Sequence, residues 1–188
     1  MKKNILTKKK PEKKLLLYIK RKAGRSNTGR ITVRHQGGGA KRLYRIVDFG
    51  QEKIGISAQV KSIEYDPYRT CFIMLLEYED GDKRYRIAPE GVKEGDKVIC
   101  AEKTEIKTGN RLKLKNIPVG TMIYNIETDP GKKGSLARSA GTWAKVIAQE
   151  GKYAHLTMPS GEIRKIFNVR KNEIKQNINT KMIVFNQY

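Results

Sequence analysis

The sequence predicts an all-β protein carrying an extended, strongly basic N-terminal arm. Three observations lead there. From residue 41 onward, apolar residues recur at every second position, the period of a strand with one buried face. Turn signals built on Gly, Pro, Asn and Asp interrupt these runs about every 8–12 residues, the spacing of small sandwiches and barrels. Charge is unevenly placed: the first 45 residues hold 16 Lys and Arg against one acid, Glu12, while the other 143 hold 24 against 18.

Residues 1–34 read as the arm. Pro11 and the lysine runs discourage a packed helix, and Gly24, Asn27 and Gly29 break the stretch beyond them. Residues 20–30 have the makeup of a segment that orders only on a partner, or of a solubilising tail. The first barrel is expected over residues 35–108. Its strands are Leu43–Phe49, a face made by Ile54, Ile56, Ala58 and Val60 that continues to Tyr65, the run Cys71–Glu79, Lys83–Ala88 and Lys97–Cys100. The unbroken apolar run of the third strand predicts burial on both faces. Asp80-Gly81-Asp82 is the hairpin turn between the third and fourth. A second strand block is expected over 109–175, with strands at Thr121–Glu127, Trp143–Gln149, Lys152–Met158 and Glu162–Val169. A long polar loop at 129–141 interrupts it. Residues 176–188 read as a tail; by composition, Lys171–Val184 is the most helical stretch.

A net charge of +21 at a pI near 10.0, concentrated at one end, points to a polyanion. Clustered cations cannot enter a core, and they gain most where phosphates release counterions against them. Nucleic acid is the expected partner, ahead of an anionic membrane. No segment approaches the ~20 apolar residues of a membrane span, and Leu15–Ile19 is too short for a signal-peptide core. A zinc site would consume both Cys71 and Cys100 and both His35 and His155, so the thiols read as buried and reduced. No metal cofactor is expected beyond structural Mg²⁺ bound through RNA.

Three constellations stand out. Around Gly37, Gly38 and Gly39, flanked by Arg34, His35, Lys41 and Arg42, a glycine backbone can approach phosphate closely, with His35 stacking or hydrogen-bonding. The alternative is a flexible joint, and the spacing is not that of a P-loop. The loop and strand start at 130–145 carry Lys132, Lys133, Arg138 and Lys145 without an acid, with small residues beside Arg138. Trp143 reads first as core. At Asp66-Pro67-Tyr68-Arg69 the proline fixes where Arg69 points, with a salt bridge to Asp66 or Glu64 as the other reading. Asp48, Glu64 and Asp66 raise a metal-dependent nuclease as a rival, but their strands suggest solvated faces. A free translation or RNA-chaperone factor with tandem barrels is a second rival.

The runs GRSNTGRITVRHQGGGAKRLYRIVDF, IEYDPYRT, DGDKRYRIAPEGVKEGD, NIPVGTMIYNIETDPGKKGSLARSAG and MPSGEIRK resemble universal large-subunit ribosomal protein two of the bacterial and organellar type, from about Gly24 to about Lys175. The resemblance implies an oligonucleotide-binding (OB) barrel followed by an SH3-like barrel. It implies a non-enzymatic structural constituent of the large ribosomal subunit, a primary rRNA-binding protein that packs against neighbouring ribosomal proteins. Importance for RNA passes to Arg69 of the DPxR turn and Arg138 of LARSAG. The candidate RNA-contacting residues are Arg21, Lys22, Arg25, Arg30, Arg34, His35, Gly37, Gly38, Lys41, Arg42, Arg69, Lys132, Lys133, Arg138, Ser139 and Lys145. Two departures matter. Ala40 stands where the family usually has His after the glycines, and nothing after Lys175 resembles the family's Gly- and Pro-rich extension. From that stop a separate polypeptide docking beside this one is expected. The abundance of Lys, Ile and Asn fits an AT-rich genome, so the mitochondrial matrix is expected ahead of plastid or bacterial cytoplasm.

Overall fold

The computed structural model describes residues 5–129, 131–167 and 178–180. Twelve short strands alternate with turns: β1 (Leu16–Leu17), β2 (Tyr44–Arg45), β3 (Ser57–Glu64), β4 (Ile73–Tyr78), β5 (Lys83–Ile87), β6 (Lys97–Ile99), β7 (Arg111–Leu112), β8 (Met122–Tyr124), β9 (Ala144–Glu150), β10 (Tyr153–Thr157), β11 (Ile163–Phe167) and β12 (Ile178–Thr180). Two 3₁₀ turns, Lys13–Leu15 and Leu114–Asn116, are the only helical elements among the described residues.

The first barrel is an antiparallel sheet in the order β5-β4-β3-β6. β4 is covered on both faces, as its apolar run requires. Met74, Leu76 and Tyr78 join Ala58, Val60 and Val98 inside the barrel. Ile73 and Leu75 face the other way and meet Tyr85, Ile87 and Tyr124, the last from the second barrel. A register shift between Val60 and Ser62 ends the simple alternation of β3. The shift brings Ile63 into the barrel core and turns Ser62 and Glu64 to the opposite face beside Tyr85, where they are buried at 0% and 5% exposure. This corrects the expectation that Glu64 and Asp66 lie on solvated faces. Glu64 accepts bonds from Ser62 Oγ and Tyr85 OH, both at 2.8 Å, and Asp66 is fully buried. Hydrogen bonds to charged groups offset the desolvation that would otherwise exclude these carboxylates.

The start of the arm straps this barrel. Thr7 exchanges bonds with Ile63: its N donates to Ile63 O at 2.9 Å, and its Oγ1 accepts from Ile63 N at 3.1 Å. Glu12 N donates to Tyr85 OH at 2.9 Å. β1 then pairs with β2, Leu16 opposite Arg45 and Leu17 opposite Tyr44. The following residues close on themselves. Gly24 O accepts from Thr32 N and Val33 N at 3.0 and 3.1 Å, and Arg25 bridges Ile31. A Cβ on Gly24 would sit 2.1 Å from Val33 O, so only glycine allows this approach. These bonds close residues 24–33 into a loop.

The second barrel runs β11-β10-β9-β8-β12-β7. Its core is Leu112, Leu114, Ile123, Ile126, Val146, Leu156 and neighbours. Trp143, expected in this core, is half-buried and precedes β9. Ala144 takes the inward position at the strand start, and strand alternation turns residue 143 away. The helical expectation for Lys171–Val184 lies mostly outside the described residues. Within it, Ile178–Thr180 forms a strand, with Asn179 opposite both Arg111 of β7 and Tyr124 of β8. Those three residues, read as tail, complete the sheet by joining two strands that are not paired to each other.

Phe49 ties the barrels together. Its carbonyl accepts from Arg111 Nη1 at 3.0 Å, Asn125 Nδ2 at 3.3 Å and Gly134 N at 3.3 Å. Arg111 is fully buried and forms an ion pair with buried Glu127.

Candidate nucleic-acid interface

A groove of about 390 Å³ opens where the barrels meet, lined by Tyr44, Phe49, Tyr68, Arg69, Thr70, Arg138 and Ser139. Its left wall comes from the Asp66 turn. Asp66 Oδ1 accepts from Tyr68 N at 2.9 Å, an Asx turn that fixes the backbone. Asp66 Oδ2 forms an ion pair with Arg69; of the two acids considered for that pairing, the partner is Asp66. Arg69 Nη2 also donates to Tyr44 OH at 2.8 Å. The guanidinium lies 4.9 Å from the Tyr44 ring centre and 5.4 Å from that of Phe49. Tyr68 meets Tyr44 edge to face at 5.5 Å.

The right wall is the loop that follows β8. Ser135 N and Leu136 N donate to Ile126 O, and Asn125 N donates to Ala137 O at 3.0 Å. Gly131 N donates to Glu127 Oε2 at 3.1 Å. Gly134 passes so close to Asn125 that a Cβ there would lie 2.2 Å from its Oδ1. Ala140 N donates across the junction to Thr70 Oγ1 at 3.1 Å. These bonds hold Arg138 with its guanidinium 4.5 Å from the Phe49 ring centre. One phenyl ring thus carries two arginines from two barrels, each cation–π contact contributing about 0.5–1 kcal/mol at such a site. Beneath them Cys71 is buried, and burial pushes its thiol up to about 11 despite the nearby Arg69 and Arg138. It is a packed, protonated thiol.

The structure brings several sequence-predicted residues to this junction. Arg69, Arg138 and Ser139 line the groove. Arg42 reaches its rim, donating to Pro67 O at 3.4 Å. The side chain of Lys133 lies beside Gly50, next to Phe49. Lys132 is exposed at the outer end of the loop and pairs with Asp129 at 3.0 Å. A second group clusters on the arm. Arg21 Nη1 donates to Gly38 O at 2.7 Å and Arg25 Nη1 to Gly29 O at 2.9 Å. Lys41 Nζ stands 5.3 Å over the Tyr18 ring. Lys22, Arg30, Arg34 and His35 are exposed. His35, Gly37 and Gly38 have φ of 60°, 105° and 70°, a left-handed run that turns the chain back over Ala23. Lys145 stands apart from both groups, on the outer face of β9.

Sequence reasoning missed the aromatic floor. Tyr44, Phe49 and Tyr68 read as strand and turn residues, and nothing local marks them as neighbours of Arg138. The groove has the form of a nucleic-acid contact: planar cations with phosphate-matching forks, aromatic rings, and a rim of further cations.

Comparison with known families decides the matter. The family model described as Ribosomal Proteins L2, RNA binding N-terminal domain, matches residues 12–100, and that for Ribosomal Proteins L2, C-terminal domain, matches residues 107–176. The chain belongs to the ribosomal protein L2 family. As an L2 family member it is a structural constituent of the large ribosomal subunit that binds rRNA. The two barrels are the OB-like and SH3-like domains of that family.

Proposed function

We propose that this L2 family member grips rRNA at the inter-barrel groove and along the arm, with Arg69 and Arg138 as opposed jaws. The single observation that supports this most strongly is the convergence of both arginines on Phe49 from different barrels. The Arg138 guanidinium offers a fork to phosphate oxygens and a flat face to bases, while Arg69, held by Asp66 and Tyr44 OH before RNA arrives, adds positive charge and its remaining N–H groups at the groove wall. Arg21, Lys22, Arg25, Arg30, Arg34, His35, Lys41 and Arg42 then extend the track, with Gly37 and Gly38 allowing close backbone approach. Recognition is by shape, phosphate and 2′-OH rather than base sequence. The role is packing of RNA, without catalysis. Any Mg²⁺ at this surface is carried in by the RNA.

The finer assignment is a bacterial- or organellar-type protein working in the mitochondrial matrix, supported by a composition rich in Lys, Ile and Asn. Fractionation of the native cell, with the protein followed into mitochondrial ribosomes, tests that assignment. The groove is tested by Arg138→Ala in salt-titrated binding to an rRNA fragment. Loss of one phosphate contact lowers the slope of log K against log salt by about 0.7–0.9; an unchanged slope refutes the assignment of Arg138.

A further inference from the structure

Lys145 is adjacent in sequence to the loop of Arg138, yet it faces elsewhere, into a setting of its own. Pairing of β9, β10 and β11 lays out three rows on the outward face: Lys145 opposite Thr157 opposite Ile163, Ala148 opposite His155 opposite Lys165, and Glu150 opposite Tyr153 opposite Phe167. The alternate positions, Val146, Ala154, Leu156 and Ile166, fill the core, so the row residues all point outward. That outward face is unusually apolar for one turned to solvent. Ile163 is 64% exposed, Phe167 43% and Ile147, beside the register shift of β9, 40%.

We infer that this sheet face is a second RNA-contact surface, seating an unpaired stretch of RNA with one base laid on Phe167 and phosphates on Lys145 and Lys165. The inference rests on the RNA-binding reading above. Three features select the occupant. The rings of Tyr153 and Phe167 are 4.9 Å apart and tilted by 35°. Lys165 Nζ sits 4.6 Å from the Tyr153 ring centre, which caps that ring and leaves Phe167 as the open aromatic. The charges on the face are cationic except for Glu150 at one corner, whose carboxylate turns toward His155 at 4.0 Å. Aromatic and basic side chains interleaved on a flat sheet are how single-stranded RNA is held: bases stack and phosphates pair with ammonium groups. An apolar protein segment would cover Ile163 and Phe167 but strip water from two lysines without giving them an anion.

The test uses the full-length protein and an rRNA fragment that it binds. Lys145→Gln with Lys165→Gln changes only exposed side chains, and should lower the salt slope by about 1.4, two single-strand phosphate contacts. Phe167→Ala should weaken binding about 5- to 150-fold, the range for one base–aromatic stack, without changing that slope. Ultraviolet cross-linking should put a nucleotide on the peptide holding Phe167, and this adduct should persist in Arg138→Ala. If the wild-type protein binds, the Arg138 slope change appears, and yet the lysine pair changes nothing and no adduct forms, this surface is not an RNA site; capture of an acidic protein there instead would likewise overturn the proposal. If the wild-type protein fails to bind RNA at all, the function proposed above fails first. Should Phe167→Ala unfold, the lysine pair decides alone.

Discussion

Replacing Glu127 with Gln removes one charge from the centre of the barrel junction. The side chains of Arg111 and Glu127 are 0% and 3% exposed, so neither can turn to water for compensation. Arg111 would keep its bond to Phe49 O and lose its counter-charge. The new amide also carries an NH₂ where a carboxylate oxygen stood, so it must present a donor either to Arg111 Nη2 or to Gly131 N, both donors themselves. Removing one partner of a buried ion pair costs about 3–5 kcal/mol. For a chain of 188 residues, each kcal/mol moves the midpoint by about 2–4 °C, so Tm should fall by about 6–20 °C. Because Gly131 begins the loop that carries Arg138, RNA affinity measured well below the melt should fall as well. Thermal unfolding of wild type and variant at equal ionic strength, paired with binding to one rRNA fragment, reads both effects. A shift below about 2 °C would refute the claim that this charge is uncompensated once Glu127 is neutral.

Gly134→Ala puts a methyl 2.2 Å from Asn125 Oδ1; the loop must move, and RNA affinity should drop more than stability does, as paired binding and melting curves would show. Asp80 and Asp82 are held below their ordinary carboxylate value chiefly by hydrogen bonds from Lys53. That contribution is complete above about pH 4 and lost as pH falls through the lowered values. Urea midpoints of wild type and Lys53→Met should therefore differ at pH 7 and converge as pH falls below the lowered values; a constant gap would exclude the ion pair as its source. Burial pushes up both Cys71, to about 11, and Cys100, so neither thiol should react with a disulfide reagent at about pH 8 until the protein unfolds. Fast labelling of the native protein would contradict the packing described.

Much of the architecture was legible because it is periodic. The inward set Ala58, Val60 and the two-sided run at Ile73–Leu76 follow from alternation alone, and Asp80-Gly81-Asp82 from turn chemistry. The register shift in β3 was not. Continued alternation would put residues 62 and 64 in the core with Ala58 and Val60, whereas the shift puts Ile63 there and hands Ser62 and Glu64 to the Tyr85 side. A bulge is a pairing event between strands, with no signal along one of them. At the groove, Arg69 was found through its proline-fixed turn, and Arg138 through its small neighbours and the family resemblance. Their shared ring was not found, because Phe49 and Arg138 are brought together only when two barrels dock. Lys145 shows the reverse error. Nearness in sequence grouped it with Arg138, whereas strand alternation sends it to another face.

The strap that closes the first barrel has a consequence for biosynthesis. Thr7 docks on a residue 56 positions later, and Glu12 on one 73 positions later. At about 5–20 residues per second, the leading segment waits roughly 4–15 s for the tyrosine it must reach. Throughout that delay a lysine-dense thread trails from the translating machine with nothing of its own to hold it. Stray polyanions can capture it first, so the yield of correctly closed barrels should depend on how quickly nascent chains are shielded from them.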